Sequence, residues 1–373
     1  MKKVLVVGFE PRDEKMYPHT YDVLRIIENH CDLVYFGDDD RGSISYSLGG
    51  TPTSFHPRRW AGFFRRLLTG YRRILGIQNE IKKLMDNDAE TVIAIDHSAL
   101  HYVCKFLKGN TRLIFWSLDY FSQDHPWLAS YWIRRLAREN REDINKCDLI
   151  IIQDNKRAAV LDSILNSHNI PKFYLSVSLE ADAFSEAEAQ KRLSRVFDGN
   201  ITLMQLGGIQ SERNSHAIMD AYQKMTDNIL LVFKGSMSDQ VHTLVEKAVR
   251  KPSVYPKSTT FKEMREMISQ ADIGIIACGL KTLNNYFFSR ASGQLVEFSR
   301  LGIPVIVLDI EELGEFVDRN KCGLSISNVS QLDYAIQQIV QDYGNYSRAA
   351  HSTFRKFFDI ELYRESLINE ILL

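Results

Sequence analysis

The chain has 373 residues, of which 45% are hydrophobic and 25% charged, and its formal net charge is −1. These values are ordinary for a soluble globular protein and leave room for two domains. The near-neutral charge excludes a general attraction to nucleic acid or to a membrane, so any such partner would have to be recognised by a local patch.

The cysteines and the start of the chain bear on the cellular compartment. Five cysteines are far apart and form no C-x-x-C motif, which predicts a reducing compartment with neither a zinc site nor a disulfide framework. The opening MKKVLVVGFEPRDEKMYP places charges and proline soon after a short apolar run, which indicates a buried strand and not a signal peptide. No stretch approaches the roughly 20 apolar residues that span a bilayer. We therefore expect a cytoplasmic protein.

The N-terminal half alternates apolar runs with helical patterns. We predict strands at KVLVVGF, DLVYFG, TVIAIDH, RLIFWSLD and DLIIIQD, and helices at TYDVLRIIENH, ALHYVCKFLKG and about 126–146. Continuous runs of Val, Ile and Leu are typical of strands buried on both faces of a parallel sheet. The alternation of strand and helix therefore predicts a doubly wound α/β domain over residues 1–177.

The C-terminal half repeats this pattern after a polar, acidic stretch at 178–198, which we interpret as a linker. We predict strands at ITLMQLGG, ILLVFKG, SVYP, DIGIIACG, PVIVLD and GLSIS, separated by helices, which indicates a second Rossmann-like domain over residues 199–345. The remaining residues, 346–373, end in an amphipathic segment. In such domains a ligand binds outside the carboxyl ends of the strands, where the strand order reverses.

Two strand ends of the second domain carry phosphate-binding chemistry. In LMQLGGIQSERNSH, Gly207 and Gly208 follow a strand and precede a helix, so backbone N–H groups can approach a phosphate, and Arg213 can bind a diphosphate. Neither G-x-G-x-x-G nor G-K-[ST] is present, which excludes the dinucleotide fingerprint and the P-loop. Lys234 ends the strand in ILLVFKG and can also meet phosphate. The alternatives are an ordinary turn and a solvated lysine.

A third candidate is the stretch SRASGQLVEFSRLGIPVIVLD, at 289–309. Ser289 and Ser292 are of the type that caps helices, and a helix over about 293–300 would offer free N–H groups to a phosphate at its start. Glu297 lies one turn into this helix, where a carboxylate can accept hydrogen bonds from both vicinal hydroxyls of a ribose.

These motifs resemble the C-terminal half of GT-B glycosyltransferases, especially the retaining family-four enzymes that use nucleotide-diphospho-sugars. The resemblance rests on LGGIQSERN after the first strand of the domain, on ADIGII and on NNYFFSRASGQLVEFSRLGIPVIVLD, and it covers roughly residues 200–340. It implies an α/β fold of the GT-B type, with two Rossmann-like domains and an interdomain cleft. It also implies that the last helix, in 346–373, returns to the N-terminal domain.

The resemblance further implies roles for single residues. Glu297 matches the second glutamate of the family's E-x7-E pattern, which holds the ribose, whereas the first glutamate falls at Ser289, so the pattern is broken there. The lysine that family members often have three residues before the ribose glutamate is Gln294 here. SVYPK resembles the loop that meets the base through its backbone. With the phosphate-binding candidates, the donor-binding set is Gly207, Gly208, Arg213, Lys234, Tyr255, Lys257, Asn284, Asn285, Tyr286, Ser292, Gly293, Gln294 and Glu297, in which Asn284, Asn285 and Tyr286 line the donor-sugar side.

Candidates for the acceptor side lie in the N-terminal domain. AIDHSAL places Asp96 and His97 at the carboxyl end of a strand, and many retaining relatives have a histidine or aspartate in this half that contacts a sugar. The loop WSLDYFSQDHPW combines aromatic residues with Asp119 and His125, which suits a carbohydrate. We expect Asp96, His97 and Asp119 to position the acceptor hydroxyl. The alternatives are a helix-capping aspartate beside a satisfied histidine, and a packed loop.

The segment FHPRRWAGFFRRLLTGYRRILG has arginine pairs every seven residues, with aromatic and aliphatic residues at i, i+3, i+4 spacing. A helix here would carry arginine on one face and apolar residues on the other, which is typical of an interfacial helix on anionic lipid. The alternative is a core helix with a solvated basic face; nucleic acid is disfavoured because no recognised module accompanies the patch. The membrane candidates are Arg58, Arg59, Trp60, Phe63, Phe64, Arg65, Arg66, Arg72 and Arg73.

Together these features predict a glycosyltransferase that moves a sugar, with retention, from a nucleotide-diphosphate donor of the UDP-sugar type to a glycan or lipid-linked acceptor in polysaccharide or glycoconjugate biosynthesis. No D-x-D motif is evident, so we expect no metal or other cofactor, and cations and helix N-termini would stabilise the leaving diphosphate. The expected location is the cytoplasm, at the cytoplasmic face of the membrane. Two alternatives stay open: a UDP-sugar 2-epimerase-like enzyme, and a non-catalytic GT-B-like subunit that binds a glycan or a partner protein.

Overall fold

The computed structural model describes residues 1–8, 18–39, 42–47, 53–54, 78–86, 88–120, 138–181, 186–255, 260–278 and 283–372. The chain divides into two compact units. Unit 1 comprises Met1–Leu175 and Tyr363–Leu373, and unit 2 comprises Ser176–Leu362.

Unit 1 is built on a sheet with strand order β4-β3-β2-β1-β5-β6-β7-β8. Its strands are β1 (Lys3–Val7), β2 (Asp32–Asp39), β3 (Gly42–Ser47), β4 (Thr53–Ser54), β5 (Thr91–Ile95), β6 (Arg112–Trp116), β7 (Leu149–Ile152) and β8 (Lys172–Tyr174). The strands from β2 to β7 in this order pair in parallel, as their continuous apolar runs predict, and β5 is buried along its whole length. The short edge strand β8 also pairs in parallel, with β7, but it was not predicted. The antiparallel additions β3 and β4 were not predicted.

The helices of unit 1 cover this sheet. They are α1 (Pro18–Glu28), α2 (Asp96–Cys104), α3 (Asn155–Leu165) and, at the end of the chain, α13 (Arg364–Leu372), with further helical residues at 78–85 and 138–143. The last helix packs beside α1. Its position is secured by Lys2, whose Nζ donates to the carbonyl of Leu372, and by Arg112, whose Nη1 donates to the carbonyl of Glu370 at 2.5 Å.

Unit 2 contains a parallel sheet with strand order β11-β10-β9-β12-β13-β14. Its strands are β9 (Ile201–Ile209), β10 (Ile229–Met237), β11 (Ser253–Tyr255), β12 (Ile273–Ala277), β13 (Val305–Leu308) and β14 (Gly323–Ile326). Its helices are α4 (Glu186–Phe197), α5 (Ser215–Tyr222), α6 (Asp239–Lys247), α7 (Phe261–Ile268), α8 (Leu283–Tyr286), α9 (Gly293–Arg300), α10 (Glu311–Asn320), α11 (Leu332–Gln341) and α12 (Tyr343–Phe357).

Both faces of the second sheet are covered by apolar cores. Successive residues of β9 alternate between them, because side chains of a strand point to opposite faces. Leu203 packs in the core on one face and Met204 in the core on the other. This two-sided burial is the reason that the strands read as unbroken apolar runs in the sequence.

The interpretation of residues 178–198 as a linker is wrong for the second part of this stretch. Residues 186–197 form α4, which packs onto unit 2 through Val196, a fully buried core residue. Arg195 of the same helix holds Asp272, which precedes β12, through its Nε at 3.1 Å from both carboxylate oxygens. The helix was hidden because its polar and charged residues outnumber the few apolar residues that anchor it.

The chain rejoins unit 1 at Tyr363 and not at residue 346, where the return was predicted. Helix α12 spans Tyr343–Phe357 and packs against α9 within unit 2. Phe354 and Phe358 are fully buried in the core of that unit, and their burial holds this part of the chain there. Of the predicted C-terminal segment 346–373, only the residues from Tyr363 onward belong to unit 1.

Candidate functional site

The strand order of unit 2 reverses between β9 and β12, which are neighbours in the sheet but far apart in the chain. After β9 the chain passes through α5 to β10 on one side, and after β12 it passes through α8 and α9 to β13 on the other. Crossovers that leave in opposite directions open a crevice at the carboxyl ends of these two strands. The predicted donor-binding residues were placed at this edge.

The glycines at the end of β9 are shaped by a close backbone approach. Gly207 has a φ of +90° and Gly235 on β10 a φ of +141°, both outside the range that other residues favour. The two glycines are register partners, and a Cβ atom on Gly235 would overlap the carbonyl oxygen of Gly207 and lie 2.7 Å from its carbonyl carbon. Where the sequence predicts a turn after β9, the structure has continued strand pairing. β9 and β10 stay paired as far as Ile209 and Met237.

Gln294 ties α9 to the end of β9 across the switch point. Its Nε2 donates to the carbonyl oxygen of Leu206 at 2.5 Å and lies 3.1 Å from where a Cβ on Gly207 would be. Its Oε1 has no hydrogen-bond partner among the residues that the structure describes. The first turn of α9 and the glycine pair thus form one connected surface.

The N-terminus of α9 has the structure that its sequence predicts. Ser292 is the cap: it is fully buried, and its Oγ accepts a hydrogen bond from the Leu295 N–H at 3.1 Å. Gly293 is exposed, and a Cβ added to it would meet open space. The first N–H groups of a helix have no intrahelical acceptor, so this end offers donors and a favourable field to an anion.

Glu297 lies on the buried side of α9, with 6% of its surface exposed. Its Oε2 accepts a hydrogen bond from Nη2 of Arg300, which is itself fully buried, at 2.6 Å. The buried arginine thus fixes the orientation of this carboxylate on α9. Sequence reasoning missed Arg300, although its i, i+3 spacing from Glu297 is a signal that could have found it.

Two cations stand at the carboxyl ends of β9 and β10. Nε of Arg213 lies 3.5 Å from where a Cβ on Gly208 would be, so the guanidinium covers that glycine. The Arg213 carbonyl accepts from Nε2 of the buried Gln205 at 3.0 Å, which fixes its backbone. Lys234 is only 7% exposed, and burial lowers its pKa, against the smaller raising effect of the Glu263 charge. The alternative of a solvated lysine is therefore wrong.

Ser289 is not a helix cap. Its Oγ donates to Oε1 of Glu312 at 2.7 Å, and its N–H donates to Oε2 of the same carboxylate at 2.9 Å. The N–H of Phe288 donates to Oε2 as well, at 3.1 Å. Where the resemblance expects a glutamate, the structure has a serine that binds the carboxylate of another helix, α10. Sequence reasoning missed Glu312.

The remaining donor-side candidates lie on nearby segments. Tyr255 is exposed at the end of the edge strand β11. Asn284 and Asn285 are half-buried on α8, and the exposed Tyr286 packs its ring edge-to-face against Phe287 at 5.0 Å.

In unit 1 the three acceptor-side candidates have different environments. Asp96, at φ +64°, starts α2, and its Oδ1 accepts from the N–H groups of Leu118 and Asp119 at 2.9 and 3.2 Å. Asp119 is exposed. His97 is 1% exposed, its Nδ1 is 3.1 Å from Nδ2 of Asn140, and burial lowers its pKa to about 4. This burial favours the alternative of a satisfied core histidine over contact with a ligand.

Several predicted residues lie outside the described part of the chain. They are the membrane candidates Arg58, Arg59, Trp60, Phe63, Phe64, Arg65, Arg66, Arg72 and Arg73, together with His125 and Lys257. Within the described residues, no helix combines the length and the apolar character needed to cross a membrane. The same residues contain no group of three His, Cys, Asp or Glu side chains arranged to hold a metal ion.

Comparison with solved structures identifies the architecture. The Anabaena protein HepE in complex with UDP-glucose matches with a TM-score of 0.67 and 11% identity over 100% of each chain. Sucrose-phosphate synthase from Thermosynechococcus elongatus gives 0.69 and 11%, over 99% of this chain and 98% of that one. WaaG, a glycosyltransferase involved in lipopolysaccharide biosynthesis, gives 0.66 and 14% over 99% of each chain. The chain has the GT-B fold. No family model and no curated protein matches its sequence.

The GT-B prediction is thus confirmed, and the fold explains which candidates come together. In unit 2 of this GT-B chain, contacts join the end of β9 to Gln294 of α9 and to Arg213, and they join β10 to β9 at Gly235. In unit 1, Asp96 is joined to the backbone of Asp119. Each of these groups lies at the carboxyl edge of its own sheet, where ligands of doubly wound domains bind.

Proposed function

We propose that this GT-B chain is a glycosyltransferase whose unit 2 binds a UDP-sugar donor. The observation that carries the proposal is the capped, exposed N-terminus of α9, tied by Gln294 to the strained glycine pair at the switch point. HepE, which shares the fold, was solved in complex with UDP-glucose, and this supports the choice of donor.

The donor diphosphate would bind at the start of α9. The N–H groups around Gly293 would donate to its oxygens, while Arg213 and Lys234 supply the positive charge. Lys234 is well suited to this, since a cation held in a site of low exposure interacts more strongly with an anion than a solvated one does. Gln294 is neutral, so compensation of the diphosphate charge would depend on the other two side chains.

The nucleoside would bind beside the phosphates. Glu297 would accept hydrogen bonds from the ribose hydroxyls, as its match to the ribose-binding glutamate of the resembling family implies. Arg300 would hold its carboxylate in place. Tyr255 and Lys257 would lie on the side of the base, and Asn284, Asn285 and Tyr286 on the side of the sugar.

Transfer would then proceed without a metal or other cofactor. As the bond from the anomeric carbon to the diphosphate breaks, positive charge develops on the sugar and negative charge on the leaving UDP. The cations and the α9 amides stabilise the latter. We assign the acceptor hydroxyl to unit 1, where Asp119 is the exposed carboxylate and Asp96 holds its backbone. We further propose retention, and a glycan or lipid-linked acceptor in polysaccharide or glycoconjugate biosynthesis.

The proposal also includes a location. The arginine-rich segment 58–73 would bind anionic lipid at the cytoplasmic face of the membrane, which would bring the enzyme to a lipid-linked acceptor. No nucleic acid partner is proposed.

Isothermal titration with UDP, GDP and ADP tests the nucleotide site. We expect UDP to bind more tightly than the other two, and absence of binding to all three would reject the proposed enzyme. A product assay with several UDP-sugars distinguishes the chemistry. Release of UDP, by hydrolysis or by transfer to an added glycan, supports a transferase, whereas inversion at the sugar C2 without release of UDP would indicate an epimerase instead.

A further inference from the structure

The turn that leads into α9 is held by a carboxylate from another helix. Glu312 accepts three hydrogen bonds from this turn: from the Phe288 N–H at 3.1 Å, the Ser289 N–H at 2.9 Å and the Ser289 Oγ at 2.7 Å. Ser289 is 3% exposed. The contacts bridge 23 or 24 positions in the chain and join the segment after β12 to the segment after β13.

The carboxylate of Glu312 accepts from all three donors through both of its oxygens, and its charge strengthens each bond. An amide of the same shape could accept both N–H groups at its oxygen and donate its NH2 group to the Ser289 hydroxyl, so the substitution that removes all three bonds is one to alanine.

The next residue fixes the same turn from its other side. The Arg290 carbonyl accepts from the Val177 N–H at 2.9 Å, and its guanidinium lies 4.0 Å from the centre of the Phe357 ring. Two residues further on, Ser292 caps α9. The position of the first α9 amides thus depends on a short turn that Glu312 holds at one end.

We infer that Glu312 is a positioning residue of the donor site, which fixes the turn at Ser289 and through it the phosphate-binding start of α9. The inference rests on the proposed function, which makes the start of α9 the phosphate-binding site that Glu312 positions. The rest of α9 has its own anchors, since Leu295 and Phe298 are buried in the core. Loss of Glu312 should therefore loosen the first turn and leave Glu297, one turn later, in place.

A purely structural role would be to stabilise the start of α10, because acidic residues in a first helical turn interact favourably with the helix dipole. Glu311 is the matched control for that role. It lies in the same first turn and is exposed. Glu311→Ala removes the same side chain and charge from the same helix end, and the three bonds to the Phe288–Ser289 turn remain.

The experiment compares the full-length wild type with Glu312→Ala and Glu311→Ala by hydrogen exchange and by two titrations. Hydrogen exchange of peptides covering residues 287–296 reports on the turn independently of any ligand. Titration with UDP and with uridine reports on what the turn positions, because only UDP carries phosphates. For Glu312→Ala we expect at least tenfold faster exchange and about tenfold weaker UDP binding, with uridine affinity within about twofold of wild type; Glu311→Ala should match wild type in all three.

The outcomes separate the inference from the proposed function. Failure of the wild type to bind UDP rejects the proposed function, whatever the variants do. If the wild type binds UDP, unchanged exchange in Glu312→Ala overturns the inference, as does faster exchange with unchanged UDP affinity. An equal loss of UDP and uridine binding also overturns it, since this would indicate general damage to unit 2. A variant with Ser289→Ala, which removes one of the three bonds, should give a smaller loss in the same direction.

Discussion

Gly207 and Gly235 lie opposite each other near the ends of β9 and β10. They are so close that a side chain on Gly235 would overlap the Gly207 carbonyl and displace the backbone of the strand ends. The contact allows the two strands to continue side by side past the switch point. It also sets the position of the surface on which Gln294 and Arg213 rest.

Gly235→Ala should therefore damage both folding and binding. The φ of +141° is in a region that residues with a Cβ avoid at a cost of about 1–3 kcal/mol, and the overlap with the Gly207 carbonyl adds to it. We expect a lower free energy of unfolding by chemical denaturation and weaker UDP binding. Gly344→Ala, at the start of α12 where the nearest atom to a new Cβ is 3.6 Å away, should be neutral or stabilising. Equal effects of the two substitutions would contradict the strained contact.

Lys234→Met tests the buried cation. We expect UDP affinity to fall roughly tenfold to a hundredfold, corresponding to the 1.5–3 kcal/mol of a hydrogen bond to a charged group. Because burial disfavours the charged lysine and lowers its pKa, the free energy of unfolding should stay the same or rise. Lys247→Met, on the exposed end of α6, is the control and should leave UDP binding unchanged. Unaltered UDP affinity in Lys234→Met would remove this residue from the site.

His97 should make unit 1 sensitive to acid. Burial lowers its pKa from about 6.5 to about 4, so between these values the unfolded chain binds a proton that the folded chain does not. The stability that this histidine contributes is complete above pH 6.5 and is lost as the pH falls towards 4. Between pH 7 and pH 5 the wild type should lose about 2 kcal/mol more than His97→Gln. Denaturation curves at both pH values measure this, and parallel losses would show that His97 titrates normally.

Asp272 should be a main anchor of α4. It is fully buried, it accepts from the Thr202 N–H at 2.8 Å, and it pairs with Arg195, whose side chain is 33% exposed. Leaving one charge of a buried pair without its partner costs about 3–5 kcal/mol, and the partial exposure of Arg195 reduces this, so we expect Arg195→Met, which leaves the Asp272 carboxylate without this ion pair, to lower the free energy of unfolding by about 2 kcal/mol. Arg319→Met, at an exposed position near the end of α10, should change it by less than about 0.5 kcal/mol. Similar stabilities of the two variants would contradict the anchoring role.

The basic segment yields a prediction that rests on sequence alone. Replacement of Arg65, Arg66, Arg72 and Arg73 by glutamate should abolish sedimentation with anionic vesicles, because each arginine near such a surface contributes about 1 kcal/mol. Uncharged vesicles should sediment neither form. Unchanged sedimentation of the variant with anionic vesicles would reject the membrane proposal, and UDP binding by the variant shows whether unit 2 is intact.

The local structure that was predicted correctly at the start of α9 depends on neighbours in the chain. Ser292, Gly293 and the helix they start are recognisable because a cap and the first helical turn interact within three residues. Lys234 was placed at a strand end by the apolar run before it, but its burial was not foreseen. Whether a lysine at such a position is solvated depends on the helices packed around it, and these come from elsewhere in the sequence.

The sequence by itself determined the central parallel strands of both sheets and the capped start of α9, because hydrophobic period and capping are local properties. Only the tertiary structure decided which distant groups meet. Gln294 reaches Leu206 across 88 positions, and Glu312 reaches Ser289 across 23. These contacts depend on the register and packing of whole strands and helices, which set the separation of side chains to within an ångström. The Glu312 carboxylate that binds Ser289 is the clearest case. The sequence shows only that position 289 has no glutamate, and the structure shows that the carboxylate of Glu312 reaches it from another helix.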